Sequence, residues 1–437
     1  MAPDPPIVER PTDSARWVRG GPRAVRRFWH SLGPGLITGA ADDDPSGIAT
    51  YSIAGARFGT SLLWMSVLTW PLMAAVQTMC ARIGMVTGHG LAAALQQKFP
   101  RPVLLVMCVG LMIANTINIG ADLAGMADAA ELITGINSHL LVVVFGGLIA
   151  WATVQLRYAA FARILKWLAL VLGVYIIAAI DLKPVWSSVL HDTFFPSGLR
   201  SREAWSTVVA ILGTTISPYL FFWQASQEVE EEKAAGKVTE EARRGATAAQ
   251  LRARKLDVGF GTFFSNLAMF FIILTTALTL HKAGITELAT GAEVAKALEP
   301  LAGRFSSWLY AIGVIGTGAL AIPTLAGSAA YAFAETLGWQ QGMDEDFRRA
   351  EPFYAVIVVS LLIGVLLDFA NVSPVKALYW TAVLNGVLAP FLLTAILMVA
   401  GNKAIMQGQP SSRLGMVTVG ITTVVMFGAA IAMFVAR

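Results

Sequence analysis

Charge is what this chain has least of. Asp, Glu, Lys and Arg make up 14% of its 437 residues, against about 25% in soluble domains. Histidine and cysteine are nearly absent, with five and two residues. The charge deficit, 56% hydrophobic residues and a mean hydropathy of +0.63 exclude a soluble globular enzyme, a disordered chain and a nucleic-acid-binding domain. Cys80 and Cys108 lie in apolar runs and support neither a disulfide framework nor a zinc site. A net charge of +4 and a pI near 9.1 therefore ask for a membrane explanation first.

What the chain has is apolar runs. A spanning helix needs about 20 such residues, and eleven candidates lie near 33–57, 61–85, 102–123, 139–156, 160–181, 204–227, 260–280, 306–334, 353–369, 374–400 and 414–436. This predicts an all-α membrane domain over 31–437, in contact with a lipid bilayer and with no obligate protein partner. It would follow a Pro- and Arg-rich tail, 1–30, expected to be disordered, cytoplasmic and without a cleaved leader. With the N-terminus inside, 23 of the 32 Lys and Arg fall on the inner side, as cytoplasmic loops require. The C-terminus is then extracytoplasmic, and the short outer loops fit a bacterial inner membrane. The polar stretch Gln227 to Asp257 reads as a solvated charged face, either extending the sixth span or forming a loop helix.

Polar groups inside a span are costly, so each is a functional candidate. The first span carries Asp42, Asp43 and Asp44 directly before Pro45, Ser46 and Gly47. Proline interrupts a helix, and a broken helix at membrane depth must line a cavity or be buried in protein. Successive helical residues point about 100° apart, so the three carboxylates cannot share one target. Asp44, beside the break, is the site candidate; Asp42 and Asp43 either line a vestibule or bond neighbouring helices. The sixth span repeats the break at Pro218, behind Thr214, Thr215 and Ser217. Interrupted segments opening two five-helix halves point to an inverted-repeat transporter with a midplane site. In the third span Asn115, Asn118 and Asp122 share a face. Thr317 and Pro323 in the eighth span, and Thr381 and Asn385 in the tenth, are weaker signals.

One carboxylate, hydroxyls and freed carbonyls are hard oxygen donors, suited to magnesium, calcium or manganese. Magnesium keeps several of its waters and so suits a site with few charges. His30, His89, His139, His191 and His281 lie at span ends or in loops, which argues against an imidazole site.

The first span resembles that of the Nramp divalent-metal transporters. Asp44-Pro45-Ser46-Gly47 stands where that family has Asp-Pro-Gly-Asn, and AGARFGTSLLW and ARIGMVTGHGLA look similar too. The family's Met-Pro-His falls on Ser217-Pro218-Tyr219, and its Asp-Leu-Ala-Glu on Asp122-Leu123-Ala124-Gly125. The likeness runs from about Ser31 to Gly401. It implies a LeuT-type fold, with repeats at about 33–181 and 204–400 and an eleventh helix at about 414–436. It also implies a metal site at Asp44, the carbonyls of Ala41 and Thr214, and positions 47 and 217. Here those two positions hold Gly47 and Ser217 in place of Asn and Met. Losing a thioether relaxes discrimination against magnesium. The family's proton-path positions hold Tyr219, Gln224 and Gly125, and Tyr354 to Leu367 contains no Lys or Arg. The pattern resembles the Nramp-related magnesium transporters, and implies uptake of partly hydrated magnesium, and also manganese, without proton cotransport or a resident cofactor. The alternative is a proton-coupled manganese or iron transporter using Asp44 and Asp122. An intramembrane aspartyl hydrolase and a sodium-coupled solute carrier fit less well: the first lacks its Gly-x-Gly-Asp signature, and in the second Asp44 would repel an anionic substrate.

Overall fold

The computed structural model describes residues 34–155, 170–199, 201–370 and 372–436. The predicted tail 1–30 lies outside them, as does the first half of the fifth span. All regular structure among the described residues is helical. The long elements are α1 (Pro34–Asp42), α2 (Pro45–Phe58), α3 (Trp64–Thr87), α4 (Arg101–Thr134), α5 (Ser138–Gln155) and α6 (Val174–Asp181). They continue with α7 (Arg202–Thr215), α8 (Pro218–Ala234), α9 (Ala248–Thr276), α10 (Ser306–Leu337), α11 (Glu351–Asp368), α12 (Pro374–Ala400) and α13 (Arg413–Val435).

Among the described residues eight helical segments are long and apolar enough to cross a membrane, or nine if the pair Pro45–Leu62 and Trp64–Thr87, bent by 109°, is counted. The sequence expectation of eleven exceeds this for two reasons. The first span is split into short halves, and the fifth begins outside the described residues.

Burial sorts the helices. In the most apolar 18 residues of the segment containing α7 and α8, 94% of the residues are buried, against 33% in α5 and α11. Large apolar side chains such as Val106, Leu366, Leu414 and Val424 face outward. An apolar perimeter around a polar centre is the arrangement a bilayer selects. The two broken helices α1/α2 and α7/α8 occupy that centre, packed among α4, α9, α10 and α12.

Close backbone approach holds the centre together. A Cβ on Gly213 of α7 would sit 2.0 Å from Ala382 O and 2.3 Å from Gly386 N of α12. Small residues permit such contacts between membrane helices. Gly213→Val should therefore cost about 3 kcal/mol or more in overpacking. In detergent its melting midpoint should fall well below the parent's. Gly110→Ala, at a position with nothing within 4 Å, should match the parent. Equal midpoints for both variants would contradict this packing.

Candidate metal site at the helix breaks

α1 ends at Asp42, and α2 restarts at Pro45. The residue before a proline is driven out of the helical region, and Asp44 is extended, with φ −71° and ψ 170°. It caps α2: Asp44 Oδ1 accepts from Gly47 N at 2.8 Å and from Ser46 Oγ at 2.6 Å. Pro45 takes the first helical position, where its missing N–H costs nothing. The positive end of α2 is thus turned toward a carboxylate.

The second break obeys the same rules. α7 ends at Thr215, Ser217 is extended before Pro218, and α8 begins there. Carbonyls in the last turn of a helix lack intrahelical partners. Ser217 Oγ bonds two of them, Gly213 O at 2.7 Å and Thr214 O at 2.8 Å. Tyr219 donates its hydroxyl to Ala41 O, in the last turn of α1, at 2.9 Å. Ser46 Oγ and Thr214 Oγ1 lie 3.5 Å apart across the two breaks. Asp44, Ala41, Gly47, Thr214, Ser217 and Tyr219 are thereby brought to one place.

The carboxylates separate. Asp44 Oδ2 accepts from Asn118 Nδ2 of α4 at 3.2 Å. Asp42 and Asp43 turn the other way, to α9, where Ser265 Oγ reaches Asp42 Oδ2 at 2.7 Å and Asp43 Oδ1 at 3.1 Å. They are buried, so in this conformation they bond a neighbouring helix and line no open vestibule. Asp122, one turn beyond Asn118, is fully buried, and its carboxylate faces the Ser46 backbone amide and Asp44 at the first break. Among the described residues Asn118 Oδ1 and Asp42 Oδ1 have no hydrogen-bond partner. Water has little access: Asp42, Asp43, Asp44 and Asp122 are 0 to 6% exposed.

Other predicted positions fall elsewhere. Gln224 does not join the site; its amide donates to Glu228 Oε1 at 2.7 Å, toward the charged end of α8. Asn115 donates to Leu325 O and Ser328 Oγ and so ties α4 to α10. Thr317 and Thr381 bond carbonyls of their own helices, Val314 O and Leu378 O. Asn385 is buried, and among the described residues its Oδ1 has no hydrogen-bond partner. Sequence reasoning missed Ser265, Tyr51 and Gly318. A Cβ on Gly318 would stand 3.1 Å from Pro45 Cγ, so α10 seats directly on the break. The mid-span pair Ser265-Asn266 was a usable signal; Gly318 offered none.

Space at the break is limited. A Cβ on Gly47 would meet Thr214 Oγ1 at 3.2 Å and the Tyr51 ring at 3.3 Å. A Cβ on Gly125 would meet Leu378 Cδ1 at 2.9 Å and Pro45 Cβ at 3.7 Å. Among the described residues no three His, Cys, Asp or Glu side chains converge as a metal-ligand group. The groups gathered at the breaks are the Asp44 carboxylate, with Asp122 beside it, and hydroxyl and carbonyl oxygens, which together form a hard donor set.

The family model described as natural resistance-associated macrophage protein-like matches residues 35–436. The chain belongs to the Nramp family. This Nramp chain is 28% identical over 338 residues to the divalent metal cation transporter MntH of Deinococcus radiodurans, covering 74% of each chain. It is 25% identical over 410 residues to MntH of Yersinia enterocolitica, covering 92% of this chain and 94% of that one. A manganese transporter of Eremococcus coleocola superposes with a TM-score of 0.74 at 17% identity, over 95% of this chain and 89% of that one. The inward-facing transporter Mhp1 superposes at 0.50 and 14% identity, over 92% and 90%. The fold is thus LeuT-type. These relatives are transporters and not enzymes, which sets the aspartyl hydrolase reading aside.

Proposed function

We propose that this Nramp chain is a divalent-cation transporter of a bacterial cell membrane, carrying chiefly magnesium and also manganese by alternating access without proton cotransport. Family membership and relatives named as divalent metal cation transporters support the substrate class. The observation that carries the magnesium preference is the donor set at the facing breaks: Asp44, the carbonyls of Ala41 and Thr214, and Ser217, with glycine at 47. It contains no thioether and no imidazole. Hard oxygens without a soft ligand suit an ion that retains waters.

The same reading divides the transport domain into repeats at about 33–181 and 204–400, with 414–436 as an added helix. It sets the N-terminal face inside, on the distribution of Lys and Arg. Two charges crossing about 100 mV gain about 4.6 kcal/mol. That suffices to concentrate the ion about a thousandfold without protons.

Proteoliposomes loaded with a magnesium- or manganese-sensitive dye test the substrate. Saturable influx of both ions is expected, each inhibiting the other. Manganese influx that excess magnesium leaves untouched would overturn the magnesium assignment.

The second reading, proton-coupled manganese transport, draws on Asp122, whose carboxylate is buried beside Asp44. Under it, Asp122→Asn would abolish proton movement while metal still binds. Under the reading preferred here, no proton movement exists to lose.

A further inference from the structure

The stretch Gln227 to Asp257 is mostly exposed, as expected of a solvated face, but its two ends are drawn together around one buried guanidinium. Arg254, near the start of α9, keeps only 11% of its side chain exposed. Its Nε lies 2.7 Å from Glu228 Oε1, its Nη1 is 2.6 Å from Asp257 Oδ2, and its Nη2 bonds Glu231. Glu228 and Glu231 belong to α8, Asp257 to α9. Asp257 Oδ2 also accepts the amide of Gly35, in the first turn of α1, at 2.9 Å. First-turn amides have no intrahelical partner. One guanidinium therefore ties together the same end of α1, α8 and α9.

The contact depends on glycine. A Cβ at position 35 would stand 2.7 Å from Val258 N and 2.8 Å from Asp257 Oδ2, and one at Gly39 would stand 2.5 Å from the carbonyl carbon of Gly261. α1 thus lies backbone to backbone on α9. Its far end is held separately, by Tyr219 on Ala41 O. Beyond that end the chain is extended at Asp44, so α1 is a nine-residue rod on a non-helical joint.

We propose that Arg254, acting through Asp257, is the latch that keeps α1 closed over the ion route at this end, and that transport requires its release. When α1 leaves, Glu228 and Asp257 stay behind on α8 and α9 as carboxylates at the mouth of the route that leads to Asp44. They attract a divalent cation, and in the closed state Arg254 pairs with both. Arg254 is a positioning residue: it acts on the helix and does not touch the ion. The inference rests on the alternating-access reading above.

The test uses the full chain with Cys80→Ser and Cys108→Ser, both native thiols being buried, and Val258→Cys as reporter. Val258 is buried against Gly35. Labelling by a membrane-impermeant maleimide is timed in proteoliposomes of mixed orientation, and metal influx is recorded in the same vesicles. Arg254→Gln and Asp257→Asn should each raise the labelling rate about tenfold by shifting the population toward the open state. Arg57→Gln, which breaks an ion pair with Glu287 at the opposite end, should leave the rate at the parent value. Should Arg254→Gln not fold, Glu231→Gln, whose side chain is half exposed, decides by a smaller rise in the same direction. Labelling at the parent rate in monodisperse Asp257→Asn and Glu231→Gln overturns the latch. Failure of the transport reading appears separately, as absent metal influx in the parent.

Discussion

Asp44→Ala should reduce metal influx by about a hundredfold or more, the scale expected when one partner of a buried charge interaction is truncated. Asp44 caps α2 at the junction of both helix breaks, with Asp122 beside it; Asp42 and Asp43 are held away by Ser265. A divalent ion gives up part of its hydration there, and in a water-poor site a formal negative charge offsets that loss. Asp44→Asn separates charge from shape. The amide oxygen still accepts from Gly47 N, so α2 keeps its cap and the protein its melting midpoint, while influx falls nearly as far. Ser265→Ala, which removes the partner of Asp42 and Asp43, should be much milder. Influx in Asp44→Asn within about threefold of the parent would move the site elsewhere.

Ser217→Met should invert the ion preference, lowering the magnesium-to-manganese influx ratio by about tenfold to a hundredfold. Ser217 Oγ now bonds Gly213 O and Thr214 O. Methionine removes both bonds, frees the Thr214 carbonyl and adds a soft sulfur. Manganese gains from sulfur and magnesium does not. Gly47→Asn is the less clean variant, because its Cβ enters at 3.2 Å from Thr214 Oγ1 and 3.3 Å from the Tyr51 ring. Competition between the two ions, measured in dye-loaded vesicles, reads the ratio directly. An unchanged ratio in a folded Ser217→Met protein would show that position 217 does not set selectivity.

Both breaks were legible in the sequence because their cause is local: a proline and the residue before it fix the backbone whatever surrounds them. Span limits were legible where charge marks them. The tenth was expected at 374–400 and is Pro374–Ala400, and the eleventh, expected at 414–436, is Arg413–Val435. The seventh was expected at 260–280, yet its helix begins at Ala248. Arg252, Arg254 and Lys255 read as part of a solvated charged face, and nothing in the local sequence reveals that Arg254 is neutralised by carboxylates on two helices. Partners far apart in sequence were the general blind spot. Gly35 and Asp257 are 222 residues apart, as are Asp43 and Ser265. The helical offsets put Asn118 and Asp122 on one face, but only packing reveals that Asn118 reaches Asp44 while Asn115 turns to α10.

The central claim is magnesium movement through the Asp44 junction without protons. The most direct test records internal magnesium and internal pH together in proteoliposomes held at a potassium-set membrane potential, for the parent and Asp44→Asn. The account predicts magnesium influx that grows with inside-negative potential, disappears in Asp44→Asn and leaves internal pH level. Acidification locked to metal entry, with manganese entering and magnesium excluded, would contradict it.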